Sequence, residues 1–249
     1  MKENLLVVKV GTNVLSNDGS FDRIGGEISQ LSNDETSVIL VSSGAISAGI
    51  RHDGKYREDV TDAAELQRYA LLGWHDVVQR WGKAIKKRIS PALITKHELD
   101  TAATRAKLLG VIACCLVHGD IFLTNENDAV CDDEIRFGDN DTLAGELAVV
   151  CTLSGMFQRV RLILLTNKNG LNRVADDDET LIRTVDDIAA IKKYAGDVVD
   201  AHSRGGMITK VRAAEIAKQM GVETFIANGW EDRAIARALA GEIGTRFRV

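Results

Sequence analysis

Apolar positions in this chain fall into short runs that stop at small residues, and these alternate with longer stretches of helical spacing. Leu5-Leu6-Val7-Val8-Lys9-Val10 ends at Gly11, and Ser37-Val38-Ile39-Leu40-Val41 ends at Ser42-Ser43-Gly44. β-Branched runs closed by a small-residue turn predict strands. Similar runs predict strands over 92–95, 121–124, 160–166 and 223–227, and helical spacing predicts helices over 21–31, 63–87, 101–117, 143–153 and 207–220. Such alternation predicts an α/β fold, a mostly parallel sheet with helices on both faces. Pro91 is the one proline, and no low-complexity linker or repeat interrupts the pattern. Any boundary between lobes, placed near Gly155, therefore lies within one continuous sheet.

With 249 residues, 45% of them hydrophobic, the chain can bury one large core or two lobes that share a sheet. The net charge of −5 and the scattered Lys and Arg argue against nucleic acid as a partner. Lys86-Lys87-Arg88, the densest basic patch, reads as a solvated helix end. Cys114, Cys115, Cys131 and Cys151 have no CxxC spacing, and the adjacent pair reads as small buried hydrophobes on a helix. The five histidines form no HExxH or HxxxH arrangement, so no metal ligand set is predicted. No apolar run approaches a membrane span and the start does not resemble a signal peptide, which predicts a cytoplasmic protein without a membrane partner.

The polar positions are most informative where strands end. Asn125-Glu126-Asn127-Asp128-Ala129-Val130 follows the fourth strand, at the edge where open α/β sheets form their ligand crevice. Gly138-Asp139-Asn140-Asp141-Thr142-Leu143 opens an Ala-rich helix, where acidic and amide side chains cap the helix or grip a ligand ammonium. Lys9 interrupts an apolar strand two residues before Gly11. It is either a cation at the mouth of the sheet or a lysine snorkelling from an edge strand. Ser43 and Gly44 suit a carboxylate or a phosphate, and also a simple N-cap. Ser203-Arg204-Gly205-Gly206-Met207 opens a helix that carries Lys210 about one turn in, without the spacing of a Walker A loop. Two lysines and glycine-rich backbone are what phosphoryl transfer asks of a protein, because its transition state spreads charge over three oxygens.

The chain resembles the amino acid kinase family. The resemblance rests on VVKVGTNVL at 7–15, VSSGAISAG at 41–49, NENDAV at 125–130, EIRFGDND at 134–141, LLTNKNGL at 164–171, GGMITK at 205–210 and GTRF at 244–247, in family order along nearly the whole chain. It implies a three-layer αβα sandwich with an amino-acid-binding lobe over about 1–155 and an ATP-binding lobe over about 156–249, without the C-terminal RNA-modification-type (PUA) domain of many relatives. It also implies ATP as co-substrate, Mg2+, and phosphorylation of the γ-carboxylate of L-glutamate at the entry to proline biosynthesis. Residue by residue, it implies Lys9, Lys210 and Asp141 as the catalytic set, with Asp141 holding both lysines. Ser43, Gly44, Asn125, Asp128, Asp139 and Asn140 would bind the substrate, Asp128 by pairing with its ammonium. Lys9, Gly11, Thr166, Asn167, Gly205, Gly206, Met207 and Lys210 would contact the nucleotide. A homo-oligomer, dimer or tetramer, and feedback inhibition by proline are further implications. The chain departs from the family pattern at Asn167, Asn172, Arg136 and Trp74. Two alternatives share the motifs: a kinase of another acidic metabolite or a nucleotide, and a catalytically weak sensor of amino acid or nucleotide.

Overall fold

The computed structural model describes residues 3–17, 19–130, 139–195 and 206–249. Its strands are β1 (Asn4–Val10), β2 (Thr36–Ser42), β3 (Ile89–Ile94), β4 (Ile121–Glu126), β5 (Arg159–Thr166), β6 (Thr184–Val185), β7 (Glu223–Asn228) and β8 (Thr245–Phe247). They form one sheet in the order β3-β4-β2-β1-β5-β7-β8-β6, parallel throughout except for the β7–β8 pair. The helices are α1 (Thr12–Leu15), α2 (Ser20–Leu31), α3 (Ala45–His52), α4 (Ala63–Ala84), α5 (Lys96–Asp100), α6 (Ala102–Val117), α7 (Asn140–Leu153), α8 (Ile188–Ile191), α9 (Met207–Lys218) and α10 (Ala234–Leu239).

Alternation along β1 builds the layers. Leu5 and Val7 face a core made with α7 and α9, including Leu147, Ala148, Val211 and Ala214. Leu6, Val8 and Val10 face the opposite core, made with Phe21, Ile24 and Ile28 of α2, Trp81 of α4 and Ile235 of α10. Helices thus cover both faces of the sheet, as the alternating pattern predicted. Lys9 continues the odd series and so points into the α7–α9 layer. Because β1 lies between β2 and β5, the edge-strand reading of Lys9 does not hold.

Other differences from the predicted elements have local causes. The third strand begins at Ile89 and contains Pro91, which the sheet accommodates because β3 is an edge. The fourth strand runs on through Asn125 and Glu126. The long helix stops at Ala84, so Lys86 and Arg88 lie beyond it, exposed, with Arg88 paired to Asp120. Cys114 is exposed and Cys115 half-buried, contrary to the reading of buried small hydrophobes, because the residues of α6 that are fully buried are Ile112 and Leu116, with Leu108, Leu109 and Cys115 only partly buried against the same core. Cys151 is buried, and Cys131 lies outside the described residues. Among the described residues no helix is long and apolar enough to cross a membrane.

One backbone contact fixes the first helix at the site. A Cβ at Gly73 of α4 would lie 1.8 Å from Ala45 O, so only glycine lets α4 press against the opening turn of α3. The residues just before that turn are Ser43 and Gly44.

Candidate active site

The C-terminal ends of β1, β2, β4 and β5 surround a cavity of about 250 Å3. Lys9, Gly11, Ser43 and Gly44 line it from the first two strands and the turns that follow them. Asn125, Asp128 and Asn140 line it from the end of β4 and the start of α7, and Thr166, Asn167 and Lys210 from β5 and α9. The chain runs from β1 to β2 on one side and later returns to β5 on the other. The cavity therefore sits at the switch point where open sheets leave a crevice.

Its floor is ionic. Asp141, 1% exposed, lies between two lysines, with Lys9 Nζ 2.8 Å from Oδ1 and Lys210 Nζ 3.0 Å from Oδ2. The lysines are 4% and 3% exposed. Thr209 Oγ1 is a further 2.6 Å neighbour of Oδ2. Burial pushes the Asp141 carboxyl toward its neutral form, but the attraction of Lys9 and Lys210 outweighs it and holds the pKa well below the usual carboxylate range. Burial also lowers the pKa of Lys210; Asp141 opposes that shift and Lys9 adds to it. The group is a lysine–carboxylate–lysine bridge carrying one net positive charge beneath the cavity.

Helix packing makes this bridge from distant segments. A Cβ at Gly145, one turn beyond Asp141, would lie 3.0 Å from Ala213 O, one turn beyond Lys210. The close approach of α7 to α9 at that point brings the two side chains together, and the alternation of β1 supplies Lys9.

Above the floor, amides form a fixed rim. Asn140 Nδ2 donates to Asn125 Oδ1 at 2.7 Å and lies 3.3 Å from Ser43 Oγ, while Asn140 Oδ1 accepts from Glu126 N at 3.0 Å. Glu126 Oε2 accepts from Asp139 N. The end of β4 and the start of α7 are thereby tied together, and Asn140 is fully oriented. Trp81 donates to Ser42 Oγ from below, leaving Ser43 as the hydroxyl on the cavity side.

The structure separates the predicted residues further. Asp139 caps α7, accepting from Thr142 N at 3.1 Å and Thr142 Oγ1 at 2.6 Å, and does not line the cavity. Gly206 is the N-cap of α9 and Met207 its first residue; neither lines the cavity. Gly205 and Arg136 lie outside the described residues. Four polar lining residues escaped the sequence reading, Thr12, Asn13, Ser47 and Arg57. Thr12 and Asn13 lie inside the first motif, two and three positions past the strand. Arg57 carried no motif or periodicity that could have marked it.

This fold and floor describe an open α/β protein with a buried, positively charged bridge beneath a polar cavity. The amino acid kinase family profile matches residues 4–228, and the chain belongs to that family. Glutamate 5-kinase of Clostridium acetobutylicum is 35% identical over 260 aligned residues, spanning 98% of this chain and 94% of that protein. Glutamate 5-kinase of Acinetobacter baumannii is 34% identical over 97% of this chain, which corresponds to 66% of that protein. Uridylate kinase from Archaeoglobus fulgidus superposes with a TM-score of 0.62 at 12% identity, over 99% of this chain and 100% of the other, which establishes the shared fold.

Proposed function

We propose that this chain is an ATP:L-glutamate 5-phosphotransferase, forming glutamyl 5-phosphate at the first step of proline biosynthesis. The observation that carries the reading is the end-to-end similarity to glutamate 5-kinases, joined to an intact Lys9–Asp141–Lys210 bridge under a cavity of amide and carboxylate groups. The acceptor carboxylate is already ionised at neutral pH, so the reaction needs no general base. What it needs is neutralisation of the phosphoryl group in flight, between two oxygens that repel it. Lys9 and Lys210 supply that charge from β1 and α9, and Asp141 holds their ammonium groups at fixed spacing. Lys9 comes from the amino-acid lobe, about 1–155, and Lys210 from the ATP lobe, about 156–249, so the bridge also ties the two lobes at their seam.

Asp128 pairs with the substrate ammonium, and Ser43, Gly44, Asn125 and Asn140 hydrogen-bond its oxygens. Asp139 contributes indirectly by fixing the start of α7. Gly11, Thr166 and Asn167 border the nucleotide, together with Gly206 and Met207 at the start of α9; Gly205, which the resemblance also implies as a nucleotide contact, lies outside the described residues. Mg2+ fits this site as the metal of the nucleotide. Among the described residues no group of three or more His, Cys, Asp and Glu side chains is placed to hold an ion, and Asp141 is committed to two lysines. A magnesium ion brought in with the nucleotide would offset charge on its phosphates. A cytoplasmic location, a homo-oligomer and inhibition by proline belong to the same reading. The last two are checked by light scattering and by adding L-proline to the assay.

The experiment is ADP release from Mg-ATP with L-glutamate, with hydroxylamine present to trap the acyl phosphate as a hydroxamate. Aspartate, N-acetylglutamate and UMP serve as comparison acceptors. Hydroxamate formed with glutamate and not with the other acids supports the reading. Turnover of a comparison acceptor without glutamate turnover rejects it.

A further inference from the structure

We propose that Arg57 binds the α-carboxylate of the amino-acid substrate, so that the site selects an α-amino dicarboxylate over an acid that offers only the reacting carboxylate. The inference rests on the glutamate reading above. Among the described residues, the ionic side chains on the cavity wall are Lys9, Arg57, Asp128 and Lys210. Lys9 and Lys210 are both committed to Asp141. Among the described residues of that wall, Arg57 is the cation not engaged with Asp141.

The side chain is carried on a fixed turn. Arg57 opens a short 3-10 helix, Arg57–Asp59, and its Nη1 donates to Val60 O at 2.7 Å. Val60 is 1% exposed and packs with Ile50, Leu66 and Tyr69. Tyr56 N donates to Asp59 Oδ2 at 3.0 Å, and Tyr69 donates its hydroxyl to Asp53 Oδ2 at 2.6 Å where the loop begins. A half-buried guanidinium held in this way retains further N–H groups in a planar fork, the geometry that suits a carboxylate.

Charge matching then assigns the groups of the substrate. L-Glutamate brings two carboxylates and one ammonium. The reacting γ-carboxylate must lie at the lysine floor and the ammonium at Asp128, which leaves the α-carboxylate for Arg57. The hydroxyl and amides of the rim are neutral and cannot supply the missing charge.

The test compares L-glutamate with L-isoglutamine, which keeps the γ-carboxylate and ammonium and replaces the α-carboxylate with an amide. The hydroxamate assay reads both. In the wild type, kcat/KM favours glutamate. Arg57→Ala should raise the glutamate KM with a smaller change in kcat, and should reduce the preference for glutamate over isoglutamine by about 10- to 100-fold, the value of a charge-assisted hydrogen bond. Arg57→Lys should keep part of the preference. Arg57→Gln gives the same reading if the alanine variant does not fold. An equal loss on both substrates means that Arg57 only supports its loop and overturns the proposal, as does an unchanged preference. A wild-type protein that is silent on glutamate overturns the parent reading and this one with it, whereas an active wild type with an unselective role for Arg57 overturns this one alone.

Discussion

Replacing Asp141 by Asn keeps the shape of a buried side chain and removes the charge that two ammonium groups share. In the native protein both lysines lie within 3.0 Å of the carboxylate, and none of the three residues exceeds 4% exposure. An amide can offer its oxygen to one lysine while its NH2 confronts the other, so two buried like charges lose their counter-ion. Breaking a buried ion pair from one side costs about 3–5 kcal/mol. For a chain of this size each kcal/mol is worth about 2–4 °C, so Tm should fall by about 6–20 °C. The pH dependence has a definite sign. Native Asp141 has a depressed pKa, so its contribution is full above the unfolded carboxylate value and is lost as pH falls through the folded one. In Asp141→Asn the deficit should instead shrink as pH rises from 7 toward 10, because loss of one lysine proton relieves the repulsion. Thermal and urea melts without ligand at pH 7 and 9.5 read both effects. A triple variant, Lys9→Met, Asp141→Leu and Lys210→Met, should recover most of the stability and none of the turnover, since apolar groups of similar volume replace buried ion pairs without penalty. An Asp141→Asn protein within about 1 kcal/mol of the wild type at pH 7, or a deficit that grows with pH, refutes the reasoning.

Other substitutions test separate parts of the structure. Gly73→Ala places a Cβ 1.8 Å from Ala45 O and 2.4 Å from Gly49 N, both backbone, and should lose about 3 kcal/mol or more in urea denaturation; a midpoint near the wild type rejects the close approach. Asp128→Asn should raise the glutamate KM by about tenfold or more with a smaller change in kcat, read by steady-state kinetics; an unchanged KM moves the ammonium site elsewhere. Glu27 on α2 accepts from Ala236 N at 2.7 Å, and burial raises its pKa despite that bond. The charged form is therefore penalised as pH rises through and above 4.5, so Glu27→Gln, which keeps the acceptor, should raise Tm at pH 7 by an amount that vanishes below about pH 4.5. A lower Tm for that variant at pH 7 would show that the charge, not the acceptor, supports α10.

How much of this was legible in the sequence depends on the range of the interaction. Strand–helix alternation gave the layers, because the period of apolar positions is a local property that the sheet then uses directly. The limits of β3 were not legible, since Pro91 weakens a strand reading unless its place at the edge of the sheet is known. The exposure of Cys114 was equally hidden, because α6 is apolar around most of its surface and the sequence does not say which side meets the core. The site shows the same division. Lys9 could be placed at the mouth of the sheet from its own strand, but Asp139 and Asp141 stand two positions apart in one run, and only the resemblance, not their residue type or spacing, gave them different roles. Helix phase separates them: Asp139 turns back to cap Thr142, and Asp141 turns into the layer where Lys9 and Lys210 lie.

That separation bears on why the bridge is built from three elements rather than one. Two lysines on a single helix would repel each other at fixed spacing, and any shift of that helix would carry both together. Here Lys9 belongs to a central strand, Lys210 to a helix on one face, and Asp141 to the helix packed between them through Gly145 and Ala213. The carboxylate is the common origin from which both ammonium positions are set. Its removal therefore acts on stability and on the geometry of the phosphoryl site at once, whereas removal of Arg57 acts on acceptor recognition. A protein in which Asp141→Asn lost stability while keeping full turnover would contradict this coupling more directly than any change in stability alone.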